Sequence, residues 1–156
     1  MEIEGIDRLV IGVKDLDKAM EFFHNVLGIE FKESKHSFTQ LRRVRSAAGK
    51  VPQKCTLKIE LIQPVHPLKD ADPPNTAALA QAVDKFGAAL YAVTFKVKNV
   101  TEAAAEVGGK DVHTYARYEH KEGPFFNMKN YKAEFIKPEE MLGIRSSLVE
   151  FDESAD

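Results

Sequence analysis

The chain has 156 residues, of which 44% are hydrophobic and 29% are charged, as in a globular protein large enough for one buried core. Its 22 basic and 24 acidic residues give a formal net charge of −2, so charge gives no reason to expect a nucleic-acid or membrane-surface partner. No apolar run reaches the roughly 20 residues of a membrane-spanning helix, and a single cysteine, Cys55, allows no intrachain disulfide. These features favour a soluble protein of the reducing cytoplasm.

The first half of the chain has the pattern of one strand, one helix and three more strands. Residues 6–13 alternate as a strand does, and Asp15 follows where a helix N-cap belongs, because its carboxylate can accept from free amides. Apolar residues then recur at helical spacing until Gly28, which suits the backbone of a helix C-terminus. Further strands are predicted at residues 29–33, 38–45 and 55–62, with a Gly/Pro turn at residues 49–52.

The second half repeats this pattern after a proline-rich segment. Residues 64–75 hold four of the seven prolines, which is typical of a linker because each proline removes a backbone donor. A short helix capped by Thr76 and closed by Gly87 is predicted next, and Asn99 is placed to cap another helix. Strands are predicted at residues 90–97, 112–115, 131–136 and 146–151.

This internal repeat is the strongest pattern in the chain. Residues 8–16 resemble residues 92–100 at an offset of 84, and Glu60 matches Glu150 at an offset of 90. Chance similarity is disfavoured because the capping positions and the terminal glutamates recur together. The sequence therefore predicts one α+β domain made of two βαβββ modules, residues 1–63 and 88–151, joined by a linker and short helix at residues 64–87.

The opening segment carries a family resemblance. Ile6-Asp-Arg-Leu-Val-Ile-Gly-Val-Lys-Asp-Leu16, with Phe23, Leu27-Gly28 and Phe31 after it, resembles the first module of the vicinal oxygen chelate superfamily, which contains glyoxalases, bleomycin-resistance proteins and dioxygenases. The pattern looks nearest to the methylmalonyl-CoA epimerases. The resemblance implies a cupped mixed β-sheet that holds a small molecule, and a homodimer.

The resemblance also implies where a metal would bind. In metal-dependent members each half supplies a ligand, usually His, from its first strand and a Glu or Gln from its last. These positions correspond to Arg8 and Ala92 on the first strands, and to Glu60 and Glu150 on the last. Arginine stays protonated and alanine has no donor atom, so no metal and no other cofactor is expected. The epimerases' catalytic glutamate falls near Arg43.

The predicted site combines acids with cations and aromatic groups. Glu60 or Glu150 is expected to move a proton, with Arg8 between them as the neutralising cation. His113 is a further candidate acid or base. Each of these residues also has an ordinary interpretation as a solvated strand or loop residue. The remaining predicted ligand contacts are basic or aromatic and favour an anionic small molecule: Arg43, Lys58, Tyr115, Tyr118 and His120.

Three functions follow from this site. The first is a metal-independent isomerase or lyase that moves a proton next to the carbonyl of a small oxygenated acid or thioester. The second is a non-catalytic protein that binds a drug or metabolite. The third is a metal-dependent glyoxalase- or epimerase-like enzyme whose ligand set is completed by an unrecognised residue.

Overall fold

The computed structural model describes residues 1–34, 44–52, 57–65, 74–126 and 128–153. Within them the chain forms helices and strands in an order that matches the predicted α+β class. The elements are β1 (Ile3–Val13), α1 (Leu16–Leu27), β2 (Glu30–Glu33), β3 (Val44–Lys50), β4 (Lys58–Pro64), α2 (Pro74–Phe86), β5 (Ala88–Val97), α3 (Val100–Gly108), β6 (Thr114–Glu122), β7 (Met128–Ile136) and β8 (Ser146–Glu153), with a 3-10 turn at Pro138–Glu140. None of the helices in the described part is long and apolar enough to cross a membrane.

The chain forms two compact units. The first unit is Leu9–Tyr91, and the second unit is Met1–Arg8 together with Ala92–Asp156. Strand β1 contributes its second part to the first unit and its first part to the second. The hydrogen-bonded strand order is β2-β3-β4-β1 in the first unit and β1-β5-β8-β7-β6 in the second.

In the first unit, α1 covers one face of the sheet. The Asp15 carboxylate accepts from the Lys18 amide, and Gly28 ends the helix with φ of 69°, as predicted for both residues. Leu16, fully buried, packs with a group of apolar strand residues: Val13, Ile29, Ala47, Ile59 and Leu61. Because strand side chains alternate between faces, Glu60 lies on the face away from α1.

The predicted turn at residues 49–52 is wrong for residues 49–50, which belong to strand β3. Gly49 lies inside β3, paired with Phe31 on β2 and Ile59 on β4. A Cβ atom at this position would be 2.3 Å from Ile29 Cγ2 and 2.8 Å from the Glu30 carbonyl oxygen. The glycine therefore permits a close approach inside the strand. The predicted strand residues 38–43 and 55–56 lie outside the described residues.

Helix α2 lies on the opposite face of the first unit from α1. It begins at Pro74, so Thr76 is a buried residue inside the helix, and the prediction that Thr76 caps the helix is wrong. Leu79 and Val83 pack over Gly12 of β1, where a Cβ atom would be 2.4 Å from Leu79 Cδ1. The face that carries Glu60 is thus partly covered by a helix.

The second unit has an apolar cluster on each face of its sheet. Under α3 lie Val97, Val100, Ala103, Ile136 and Leu148. On the other face lie Met128, Tyr131, Ala133, Val149 and Phe151. Asn99 caps α3 by accepting from the Glu102 amide, as predicted.

The last strand of each repeat also caps the helix of its own unit. Gln63 Oε1 accepts from the Leu16 amide at 2.7 Å, and Glu150 Oε2 accepts from the Val100 amide at 2.9 Å. The two capping side chains are 87 residues apart. The predicted offset of 90 between Glu60 and Glu150 is therefore wrong, and the structural counterpart of Glu60 is Ser147.

Candidate functional site

Arg8 is a buried cation held in a defined position. Its side chain lies in the second unit, and the residue is only 6% exposed. Nη2 donates to the Tyr131 hydroxyl at 3.0 Å, Nε lies 3.5 Å from Asp7 Oδ2, and the guanidinium carbon lies 5.6 Å from the centre of the Phe125 ring. An arginine that is fixed by a hydroxyl and a ring can present its planar donors to a carboxylate or carbonyl oxygen.

Beside Arg8 a row of stacked rings, here named the aromatic face, is formed by Tyr118, His120, Tyr131 and Phe151. Tyr131 stacks on Phe151 with ring centres 6.1 Å apart and meets Tyr118 edge-on at 6.3 Å, and Tyr118 stacks on His120 at 6.2 Å. Lys96 Nζ lies 4.3 Å from the centre of the Phe151 ring. The aromatic face thus offers apolar ring surface next to two cations.

The predicted ligand contacts Tyr118 and His120 belong to this face, and Tyr115 lies next to it. The Tyr115 ring is 6.3 Å from that of Phe135, which packs against the same apolar cluster. Burial raises the pKa of both tyrosine hydroxyls, and for Tyr115 this outweighs the opposing effect of Arg145. Both phenols therefore stay protonated at neutral pH, as hydrogen-bonding groups and not as bases.

The predicted orientation of Glu150 is wrong. Its carboxylate caps α3 and lies 3.6 Å from Lys132 Nζ, on the face under the helix. Val149 and Phe151, predicted to lie behind it, occupy the other face. The expected ion pair between Arg8 and Glu150 is not formed, because the carboxylate's partners are the Val100 amide and Lys132. An Arg8–Glu60 pair stays a prediction.

His113 has its own carboxylate partner outside the aromatic face. Glu140 on the 3-10 turn accepts from the His113 amide at 2.5 Å, and its carboxylate lies 3.1 Å from the ring nitrogen Nδ1. These contacts with His113, led by the amide hydrogen bond, lower the pKa of Glu140. The imidazole is half-exposed. A catalytic role for His113 stays a prediction.

The first unit carries the other predicted residues. Glu60 and Lys58 are each 3% exposed and lie two residues apart on the same face of β4. Ala48 of β3 is opposite Glu60. Two buried charges on one strand are unusual, since burial of a charge is costly without compensating contacts. Arg43, predicted as a ligand contact, lies outside the described residues.

A comparison with models of protein families identifies the family of this chain. Residues 7–126 match the model of the glyoxalase/bleomycin resistance protein/dioxygenase superfamily. This match covers well over half of the chain and agrees with the βαβββ order seen here. The chain belongs to this superfamily.

Several solved structures have the same fold. A methylmalonyl-CoA epimerase from Mycobacterium tuberculosis superposes with a TM-score of 0.73 at 23% identity, over 98% of this chain and 90% of that one. The Streptomyces coelicolor methylmalonyl-CoA epimerase in complex with 2-nitronate-propionyl-CoA has a TM-score of 0.68 and 22% sequence identity, over 99% of this chain and 100% of that one. A hypothetical protein from Bacillus halodurans has a TM-score of 0.69 and 20% sequence identity, over 97% of this chain and 96% of that one. No curated protein gives a significant sequence match.

The ligand positions of the metal-dependent members of the superfamily do not fit a metal in this chain. With the corrected offset, the four positions hold Arg8, Ala92, Glu60 and Ser147, so one carboxylate remains among them. Across the described part of the chain, no three His, Cys, Asp or Glu side chains cluster as metal ligands. A single carboxylate does not make a tight site for a divalent cation.

Several residues near Arg8 were missed by sequence reasoning. Tyr131 and Phe125 contact it, and Phe151 stacks on Tyr131. Tyr131 and Phe151 lie in predicted strands, whereas Phe125 lies outside them. Strand alternation alone assigns the side chains of a strand to one of two faces. Choosing between the faces requires the position of the covering helix, which the α3 cap at Glu150 supplies.

Proposed function

We propose that this superfamily member is a metal-independent isomerase or lyase that moves a proton next to the carbonyl of a small oxygenated acid or thioester. The observation that carries the proposal is the buried guanidinium of Arg8 at the position of a first-strand metal ligand. Tyr131 and Phe125 hold it in place. A fixed positive group at that position can take over the charge stabilisation that a cation provides in metal-dependent relatives.

Arg8 would act on the oxygen and not on the proton. Removing a proton next to a carbonyl moves negative charge onto the carbonyl oxygen, giving an enolate. A guanidinium stays charged at any relevant pH and donates several hydrogen bonds in one plane. It would therefore stabilise the enolate oxygen, or hold a neighbouring carboxylate, without exchanging a proton itself.

Glu60 is the proposed base. It is a buried carboxylate on the face of the first unit opposite α1. An ionised carboxylate can accept the proton of a carbon next to a carbonyl, as a general base does. Glu150, the other carboxylate predicted for this role, is engaged in capping α3. The proposal therefore assigns proton transfer to Glu60 alone.

A second candidate is a protein that binds the same class of small molecule without turnover. The observation that favours it is the loss of Glu150 from the site, because reactions that exchange a proton on both faces of a carbon commonly use two acid–base groups. Arg8 and the aromatic face would then provide affinity only.

Hydrogen exchange separates the two candidates. The protein is incubated in deuterated water with methylmalonyl-CoA, the ligand that the solved relatives' names suggest, and with a panel of small 2-substituted acids and acyl thioesters. Deuterium at the α-carbon is followed by NMR. We expect exchange with at least one compound, and a loss of about 100-fold or more in Glu60→Gln, the usual contribution of a general base.

Glu134→Gln is the matched control, because Glu134 is also a buried glutamate on a strand and lies in the second unit, where it pairs with Arg117 at 3.1 Å. It should keep the wild-type rate, and neither a chelator nor added cobalt or zinc should change that rate. Binding without exchange across the panel would favour the non-catalytic candidate. Exchange that disappears with the chelator and returns with metal would refute metal independence.

A further inference from the structure

The guanidinium of Arg8 is closed off from solvent. The residue is 6% exposed, and its nitrogens Nε and Nη1 are fully buried. Phe125 belongs to the same unit, is itself buried, and places its ring 5.6 Å from the guanidinium carbon. An anion from solution can therefore reach these two nitrogens only if a covering group moves.

The two aromatic side chains at the guanidinium are held in different ways. Tyr131 lies within strand β7, and its ring packs against Phe151 and Tyr118. Phe125 lies in the short turn between β6 and β7. A residue inside a paired strand moves only when the sheet opens, whereas a turn residue can move by itself. Phe125 is therefore the covering group that can leave Arg8 while the sheet stays intact.

The turn that carries Phe125 is strained. Phe126 has a φ of 54°, in the left-handed region that a residue with a Cβ atom occupies at a cost in free energy. The Met128 amide donates to the Phe125 carbonyl at 3.3 Å, which is long for a backbone hydrogen bond. The strain offsets part of the stability of the closed turn, so a small free-energy change is enough to open it.

We propose that Phe125 is a gate on Arg8, whose ring leaves the guanidinium in local openings of the turn and so admits an anionic ligand. A ring attracts a cation through its quadrupole, but a carboxylate does so through a full charge and two hydrogen bonds. An anion can therefore replace the ring, whereas an apolar ligand does not compensate for the lost contact. The ligand's part in this exchange rests on the proposed function, but the opening itself needs no ligand.

The test measures how fast phenylglyoxal, a reagent that modifies accessible guanidinium groups, reacts with Arg8 in the folded protein without ligand. Mass spectrometry of peptides follows each arginine, and Arg117, whose side chain is 38% exposed, is the internal reference. Wild-type Arg8 should react completely, but at least tenfold more slowly than Arg117. Phe125→Ala should accelerate Arg8 about tenfold, as expected for the loss of a buried cation–π contact, and leave the rate at Arg117 unchanged.

Phe95→Ala is the matched control. Phe95 is another phenylalanine of the second unit, but it packs under α3, so its loss lowers stability without uncovering Arg8. Arg8 should stay slow in this variant.

Three results would refute the gate: a wild-type Arg8 that reacts as fast as Arg117 or not at all, a Phe125→Ala variant in which Arg8 stays slow, or equal acceleration by Phe95→Ala, which would indicate general unfolding. Because the reagent reports on accessibility and not on turnover, this result is independent of the α-proton exchange experiment.

Discussion

Glu150 and Gln63 have the same role in the two units, as acceptors that cap a helix. Each side chain leaves the last strand of its repeat and accepts a hydrogen bond from the first amide of the helix in its own unit. The first helical amides have no partner within the helix. A carboxylate and a neutral amide both satisfy this need, so the shared requirement is an acceptor oxygen of the right length and not a charge.

This assignment predicts a stability effect without a ligand effect. Glu150→Ala should lower the free energy of unfolding by about 1 kcal/mol, as the loss of a helix-capping acceptor usually does, while Glu150→Gln should lower it by less. The rate of α-proton exchange should not change in either variant. Urea denaturation and the exchange experiment measure the two quantities.

Gln63→Ala provides the comparison in the first unit and should cost a similar amount. If Glu150→Gln instead removed α-proton exchange while leaving the unfolding curve intact, Glu150 would belong to the reacting groups. The original assignment from sequence would then be correct and the capping role incidental.

The error in placing Glu150 has a simple physical origin. The sequence aligns the glutamates at an offset of 90, and the helix caps require 87. The difference is an odd number, so it moves the side chain to the other face of the strand. The caps at Asp15 and Asn99 could be found from sequence because their signals are local. The face of a strand depends on contacts that are distant in sequence.

Two glycines inside strands, Gly12 and Gly49, lie where another segment of the chain passes close to the backbone. Gly49 and Gly12 both lie in strands, and each leaves space that a Cβ atom would fill. The sequence predicts a turn at Gly49, between two predicted strands, because turn chemistry is the more common local signal. The actual cause is the Ile29 side chain, just before the neighbouring strand β2, and the carbonyl of Glu30, its first residue.

Gly12→Ala tests whether α2 depends on this close approach. The added methyl group would overlap Leu79 and Val83, so α2 must shift. We expect the free energy of unfolding to fall by about 1–3 kcal/mol, the usual cost of overpacking a core. Thermal and urea denaturation measure the loss.

Gly108→Ala is the matched control, since a Cβ atom there meets nothing within 4 Å and alanine favours a helix. It should leave stability unchanged or raise it slightly. Equal stability of the Gly12 and Gly108 variants would show that α2 adjusts without cost and that Gly12 is not required by packing.

The order of helices and strands along the chain can be predicted from the sequence, but the division of the chain into its two compact units cannot. Both βαβββ patterns were visible from alternation and capping signals. Contacts nevertheless assign Met1–Arg8 to the second unit. The Lys98 amide donates to the Glu2 carbonyl at 3.1 Å, and Glu4 pairs with Lys96 at 3.5 Å. Such long-range pairing leaves no mark on the local sequence pattern.

Removal of residues 1–5 should therefore destabilise the second unit. The deletion removes backbone pairing with β5, and the free energy of unfolding should fall by a few kcal/mol, at about 1 kcal/mol for each lost hydrogen bond. Hydrogen exchange of the β5 and β8 amides would locate the loss.

The double variant Glu2→Gln/Glu4→Gln is the control, because it removes two exposed ion pairs and keeps the backbone. It should cost less than about 1 kcal/mol. If the deletion costs no more than this variant, the first residues of β1 do not hold the second unit together.

Because β1 is divided between the two units, part of the second unit is synthesised long before the rest of it. Arg8 and Tyr131 are separated by 123 residues, so on a translating ribosome Arg8 emerges about 10 s before its hydroxyl partner at common synthesis rates. During that interval its guanidinium remains in water, and the second unit lacks the strands that would bury it. The first unit can already assemble once its own residues have emerged. The protein is therefore expected to mature in two stages, and the surroundings of Arg8 are completed last, when the C-terminal strands have joined the second unit.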